Sequence, residues 1–353
     1  MVANFDDFLA SPLRVLALRD KDSKSLFRSA SGGAFPVLAR PVLQEGGVVF
    51  GAEMLPGGEV RHVGITDAGE LPRIQGSKYV WSDTAGTYGE CAEVLNTGSP
   101  VLFSGTPCQV FALRSYLANK GVGEGGMQNL LTVDLICHGV TSPELFELYI
   151  DWLEEKVGAV PGSLHYEFRS KKRGWGLYYY YYYMSKRDGR KHERFGQCEE
   201  DPYYMAFLEG QLYRPSCYKC RFARKERVGD FTIGDFWGIQ REHPNFVCNE
   251  GASVVLINTP KGIRYFEKCC SDNCYSEDST WEKASRENRN LCAPTRRNDG
   301  GAELARKVEE AVLRGDADTV FGGLLKRPRS LKMAAKRVLP YPLILFLRRL
   351  LKK

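Results

Sequence analysis

The sequence has no apolar run of the roughly 18 to 20 residues that a bilayer-spanning helix needs. Its longest candidate, Val338 to Leu347, is broken by Pro340 and Pro342. No basic, apolar leader opens the chain; Met1-Val-Ala-Asn-Phe-Asp-Asp7 carries acid instead. There is no internal repeat. These absences predict a cytoplasmic protein, and in that compartment eleven cysteines read as thiols or metal ligands rather than a disulfide framework. Only one Cys-x-x-Cys occurs, Cys217 and Cys220, whereas a structural zinc site usually uses two such knuckles. The chain is not short of material for a core. With 353 residues, 43% of them hydrophobic, it suffices for one large domain or two smaller ones without staples. The net charge of +6 is modest, and the excess collects in the last thirty or so residues.

Apolar runs at Leu13 to Leu18, Pro100 to Gly105, Asn129 to Ile136 and Ser253 to Asn258 read as buried strands. Val48 to Ala52 and Val60 to Ile65 read as a hairpin about Pro56-Gly-Gly58. Helical spacing follows several of these: Ala34 to Leu43, Tyr88 to Leu95, Thr106 to Asn119, Glu144 to Lys156, Asp201 to Leu212 and Lys261 to Cys270. Pro41 should kink or end the first of them. Lys21 to Ser25 reads as a polar loop. Leu164 to Arg169 and Trp175 to Ser185 read as an antiparallel insertion, the second carrying six successive tyrosines, Tyr178 to Tyr183. That run suits a strand packed on one side; an aromatic platform for a planar substrate is the alternative. After about Ser276 the chain turns polar and is expected to be helical. The fold expected is α/β: a mixed, largely parallel sheet with flanking helices, an antiparallel β insertion and a helical C-terminal tail. We divide it as 1–275 (parts 25–100 and 101–275) and a helical extension, 276–353.

In such sheets ligands gather at the C-terminal ends of the strands. Cys108, in Phe103-Ser-Gly-Thr-Pro-Cys-Gln109, and Cys137, in Ile136-Cys-His-Gly139, lie just past two such ends. The Cys217-Tyr-Lys-Cys220 turn allows two thiolates to face one metal centre, and Gly229 to Gly238 follows as a strand ending in Gly-Asp-Phe-Trp-Gly. Ser31-Gly32-Gly33, at a helix start, offers free N–H groups to an anion. Gly76-Ser77-Lys78-Tyr79 adds a hydroxyl, a cation and an aromatic ring; a surface lysine is the ordinary alternative for Lys78. Cys91 and Cys292 read as plain buried thiols, and Cys269, Cys270 and Cys274 as ordinary ones. Cys198 or Cys248 remains an alternative to one of the four ligands.

Taken in order, Ser31-Gly-Gly33, Gly46 to Gly51, Gly76 to Val80, Phe103 to Gln109, Ile136 to Gly139, Arg214 to Cys220 and Gly234 to Gly238 resemble the beta-subunit family of coenzyme F-420 hydrogenase/dehydrogenase, over roughly residues 25 to 270. The resemblance implies a flavoprotein, usually with FAD, carrying at least one [4Fe–4S] cluster. It implies an oxidoreductase that moves electrons between a ferredoxin-type donor and a small organic acceptor or hydride carrier. A non-catalytic electron-transfer subunit is the alternative. Cluster ligands would be Cys108, Cys137, Cys217 and Cys220, with four-thiolate zinc also chemically open. The flavin would lie against Ser31, Gly32, Gly33, Gly76, Ser77, Lys78, Tyr79, Ser104, Gly105 and Thr106. Asp235 and Trp237 would shape the pocket. Lys78 would stabilise reduced, anionic flavin, and His138 would donate a proton or a hydrogen bond to sulfur. Many bacterial relatives begin with a ferredoxin-like module. Here no cysteine precedes Cys91, so a separate ferredoxin or partner redox subunit would supply electrons.

The last residues, Lys326 to Lys353, carry ten Lys and Arg and no acid around Val338 to Leu347. Three roles suit them: packing on the protein itself, docking on an acidic partner, or contact with an anionic membrane surface from the cytoplasmic side. No nucleic-acid role is expected.

Overall fold

The computed structural model describes residues 5–297 and 300–325. The basic tail, with its three suggested roles, lies outside the described residues. The organising element is an eight-stranded mixed sheet. Its strands are β1 (Arg14–Asp20), β2 (Val48–Met54), β3 (Val60–Ile65), β4 (Val101–Gly105), β5 (Leu130–Leu135), β9 (Phe231–Asp235), β10 (Ser253–Ile257) and β11 (Cys274–Asp278). They lie side by side in the order β11-β1-β10-β9-β5-β4-β2-β3. The parallel character sits in the middle, where β2, β4, β5 and β9 run the same way. Antiparallel pairings flank that block: β2 with β3 on one side, then β9 with β10, β10 with β1 and β1 with β11 on the other.

Every residue of β4 and β10 is buried, which is why these segments read as continuous apolar runs. Alternation then sorts the side chains between the two faces. Leu16, Leu18, Val255 and Ile257 pack with Val37, Leu38 and Val42 of the helix Ala34–Gln44. Val15, Ala17, Val254 and Leu256 pack on the opposite face with Phe236, Ile239 and Leu291. The helix Pro107–Lys120 covers the β4 and β5 region through Val110, Leu113 and Leu117.

The insertion is a three-stranded antiparallel sheet of β6 (His165–Phe168), β7 (Tyr178–Met184) and β8 (Lys191–Gln197). Along β7 the tyrosines divide by parity. Tyr179 and Tyr181 enter a core with Phe146, Tyr149, Tyr166 and Tyr203. Tyr180 and Tyr182 lie under the ammonium groups of Lys172 and Lys191, at 3.4 and 4.0 Å from the ring centroids. Cations already cover the outer rings, so the run is a packed strand and not an open platform.

Four local expectations change. Pro41 does not end its helix, which continues to Gln44; its missing N–H takes one i→i−4 bond, the one to the Val37 carbonyl, from the ladder, and burial of the ring on the apolar face offsets that loss. Lys21 to Ser25 is mostly helix, Ser23–Arg28, because the Asp22 carboxylate caps it by accepting from the N–H groups of Lys24 and Ser25. The helix after Asp201 stops at Leu208. Beyond Cys274 the chain first forms a strand, β11, hydrogen-bonded along β1, before the helices Trp281–Ser285 and Gly301–Leu313.

Candidate functional site

The C-terminal ends of β1, β4, β5 and β9 share one edge of the sheet, and the site lies along it. β4 ends at Gly105, and Thr106 caps the helix Pro107–Lys120 that carries Cys108 in its first turn. The backbone N–H of Thr106 donates to Gln109 Oε1 at 3.0 Å, and Gln109 Nε2 donates to the carbonyl and Oγ of Ser82. Thr106 Oγ1 stands 3.1 Å from Cys108 Sγ. β5 runs into Ile136-Cys137-His138-Gly139. Gly139 has φ of +140°, and a Cβ on it would stand 2.3 Å from the Tyr213 ring. Glycine alone lets this loop lie against Tyr213.

Cys217 and Cys220 come from the loop after Arg214, whose N–H donates to the Val140 carbonyl at 2.9 Å. Arg227 fixes the far end of that loop. Its guanidinium donates to the Phe222 and Leu135 carbonyls and pairs with Asp134 at 2.7 Å, both side chains buried. As a result Cys108, Cys137, Cys217 and Cys220, all free thiols, line one small cavity of about 50 Å³ together with His138 and Arg214. Burial, with the neighbouring thiols adding to it, raises the Cys108 and Cys137 thiols above their ordinary value. Burial also raises Cys217. Ligation would displace those protons.

Among the described residues, no three His, Cys, Asp or Glu side chains close on a position for a single ion. Zinc would need all four sulfurs about 2.3 Å from one centre. A [4Fe–4S] cluster places iron corners between its thiolates and takes a wider ring of four. Four thiolates are a donor set that either centre takes.

A larger cavity of about 470 Å³ shares a wall with the first: Thr106 and Cys137 to Val140 border both. It is lined further by Ser31, Gly33, Gly76, Ser77, Lys78, Tyr79, Ser104, Gly105, Asp235 and Trp237. Its volume is in the range of small-molecule sites, about 300 to 1,000 Å³. Lys78 Nζ donates to the Gln75 carbonyl at 2.6 Å. Burial, against a weaker pull from Glu53, pushes its ammonium down to about 7. His138 faces cavity space yet is ringed by protein, and desolvation holds its imidazole below the ordinary value. Asp235 pairs with Arg169 through contacts of 2.6 and 2.7 Å and accepts from Trp175 Nε1 at 3.1 Å. Trp175 in turn stacks on Trp237, with centroids 5.1 Å apart.

Of the flavin-contact residues expected, Gly32 alone lies off this cavity. A Cβ on Gly32 would stand 2.2 Å from the Leu18 carbonyl oxygen and 2.4 Å from the Ser253 nitrogen. Its missing Cβ is required by the close approach of the β1 and β10 backbones. Cys198 and Cys248 are buried in separate cores, so neither stands in for one of the four cavity cysteines. Cys292 is exposed rather than buried.

Two wall residues carry no local signal in the sequence. Arg169 is buried with φ of +61°, a conformation costly for a non-glycine residue and concentrated at functional sites. His62 Nε2 stands 3.0 Å from the Ser104 carbonyl, while its Nδ1 is buried without a hydrogen-bond partner. Burial pushes its imidazole down to about 4, so it is neutral and Nε2–H is the donor.

The family profile that matches this chain describes the C terminus of the beta subunit, in coenzyme F420 hydrogenase/dehydrogenase; it spans residues 98–282, more than half of the chain. The chain belongs to this family. It is a redox protein of the hydrogenase/dehydrogenase beta-subunit type. The matched segment contains all four cavity cysteines and β9 with Asp235. A solved structure of the F420-reducing [NiFe] hydrogenase complex from Methanosarcina barkeri, studied by xenon derivatization, aligns with a TM-score of 0.51 and 18% identity, covering 90% of this chain and 94% of that one. At that identity the likeness is one of fold. Among curated proteins no match was found. Among the described residues, no helix of this family member is long and apolar enough to cross a membrane.

Proposed function

We propose that this family member is a flavin- and [4Fe–4S]-dependent oxidoreductase, passing electrons from a ferredoxin-type donor or partner redox subunit to a small organic acceptor or hydride carrier. One observation carries the reading: four free thiols ring a cavity whose wall, Cys137 to Val140, is also the wall of a ligand-sized cavity. Cys108, Cys137, Cys217 and Cys220 would hold the cluster. Ser31, Gly33, Gly76, Ser77, Tyr79, Ser104, Gly105 and Thr106 would contact FAD. A bound flavin joined to an iron–sulfur cluster supplies exchange between single electrons and hydride-type pairs.

The chain's own groups have defined tasks. Lys78 presents an ammonium at the cavity wall, where it favours negative charge on whatever occupies the space. His138 lies on the shared wall and is placed to hand a proton across it. Asp235 keeps Arg169 folded against Trp237, 5.1 Å from its ring centroid, and so fixes the far wall. Apolar side chains, Leu135, Ile136, Leu177, Phe207 and Ile233, exclude water from the interior.

Anaerobic purification of the full chain, followed by iron, sulfide and flavin analysis, tests the reading. About four irons and one flavin per chain are expected for a single cubane. Cys217→Ser and Cys220→Ser should each remove most of the iron, whereas Cys198→Ser and Cys248→Ser should leave it. A chain that binds one zinc and no flavin under these conditions overturns the proposal.

A further inference from the structure

A second groove, of about 750 Å³, meets the large cavity on the side away from the cysteines. The two share Ala30, Gln75, Gly76, Ser77, Lys78 and Arg169, while none of the four cavity cysteines borders the groove. Its charge is one-sided. Lys24, Arg28, Lys78, Arg169, Lys171 and Lys172 line it, against Glu167 as the one acid.

Some of that charge is answered. Arg169 has Asp235, and Lys172 reaches Glu193 at 3.4 Å. The rest is not. Lys24 and Arg28 are exposed and form no ion pair among the described residues. Lys171 is buried, and its Nζ donates only to carbonyls, those of Leu26 at 2.6 Å and Ser31. Lys78 likewise finds carbonyls. Desolvation, with Arg169 adding to it, pushes Lys171 down to about 7, the mark of a cation held without its counter-charge. Buried charges are ordinarily paired. Two poorly compensated lysines beside two free exposed cations therefore point to a missing anion.

The groove is also open. Phe27, between Lys24 and Arg28 in the sequence, is 52% exposed at its rim. A flat apolar ring beside free cations matches the two ends of a phosphorylated, ring-bearing molecule.

We propose that this groove is the subsite for the phosphate-bearing end of the acceptor, holding a phosphate or pyrophosphate group against Lys24, Arg28, Lys78 and Lys171 while the acceptor's reducible end reaches the large cavity past Lys78 and Arg169. The inference rests on the redox reading of the large cavity, but its measurement does not depend on turnover. Order along the sheet edge then follows: cysteines, large cavity, basic groove. Electrons would enter at one end and the acceptor at the other.

The test uses the full chain loaded with flavin and iron, and inorganic pyrophosphate as the probe, followed by titration calorimetry at low salt. Pyrophosphate should bind, and Lys24→Glu with Arg28→Glu should weaken it at least tenfold while flavin and iron content stay unchanged. Lys268→Glu, on an exposed face away from the groove, should not alter it. Circular dichroism of each variant checks that it is folded. Absence of pyrophosphate binding overturns the proposal, as does binding indifferent to the double substitution. So does a double variant that loses FAD but retains FMN, because the groove would then hold the cofactor's own ADP half. Failure of the redox reading shows separately, in the iron and flavin content of the unaltered chain.

Discussion

Removing the Asp134 carboxylate should destabilise the whole protein and, on the proposed reading, lower the iron held at the cysteine cavity. Asp134 is fully buried at the end of the parallel block and accepts from Arg227 at 2.7 and 3.3 Å, Gly229 N–H at 2.8 Å and Val228 N–H at 3.2 Å. Asp134→Ala strands the Arg227 guanidinium, 2% exposed, with carbonyls but no counter-charge. Breaking a buried pair by removing one partner costs about 3 to 5 kcal/mol. With an unfolding entropy of about 2.1 cal/mol/K per residue, a chain of this length should lose about 4 to 7 °C in Tm. Arg227 also grips the Phe222 carbonyl just beyond Cys220, so the loop that presents two thiols should loosen and iron content should fall. Differential scanning calorimetry and iron analysis on the anaerobic protein read both effects. The Asp134→Leu, Arg227→Met double variant should be less destabilised than the two single changes combined, because no lone charge remains. A single variant that loses under about 1 °C, well short of that range, and keeps its iron would refute the view that this pair positions the cysteine loop.

Two further outcomes concern stability. Lys171 has a folded value of about 7, far below its unfolded value of about 10.4. Between these the unfolded chain binds more protons, so its penalty is full below pH 7 and lifts as pH rises towards 10. The charged groups acting on it are Arg169, Asp235, Glu250 and Asp20. Lys171→Met should therefore flatten the rise in denaturant midpoint between pH 7 and pH 10; an unchanged slope counts against a buried, weakly compensated ammonium. Gly139→Ala should cost at least about 1 to 3 kcal/mol, since its Cβ meets the Tyr213 ring and its φ disfavours a side chain. Urea denaturation measures this, and a loss of a few tenths would mean that the loop has room to shift.

Strands buried on both faces are legible in the sequence as plain apolar runs. β4, β5 and β10 are apolar almost throughout, and Cys108 and Cys137 can be placed past strand ends on that basis. β8 and β11 escape such a reading for the opposite reason. β8 reads Lys-His-Glu-Arg-Phe-Gly-Gln, and β11 buries only Cys274. They are strands because β7 and β1 offer them a hydrogen-bonded edge, which local composition does not record. Ser31-Gly-Gly33 is visible as a motif, yet the need for Gly32 is set by Leu18 and Ser253, the second of them far away in sequence. Arg169 is invisible for a like reason: its partner Asp235 is 66 residues away, and a positive φ at an arginine leaves no trace in the residue type. The four cysteines, by contrast, sit in separate short motifs, and their convergence follows once the strand order is in place.

The stretch from Cys137 to Val140 belongs to two rooms at once. Neither side can be remodelled in private: widening the larger cavity there moves a thiol, and reshaping the thiol ring moves the ceiling of the larger cavity. Inheritance of the two sites is thus tied, and changes in what the large cavity accepts must arise on its other walls, along Gly76 to Tyr79, Phe207 and Trp237. On the proposed reading, specificity can drift at those positions while the thiol ring stays as it is. If the large cavity takes the acceptor as proposed, one acceptor could replace another while the cysteine ring is left alone.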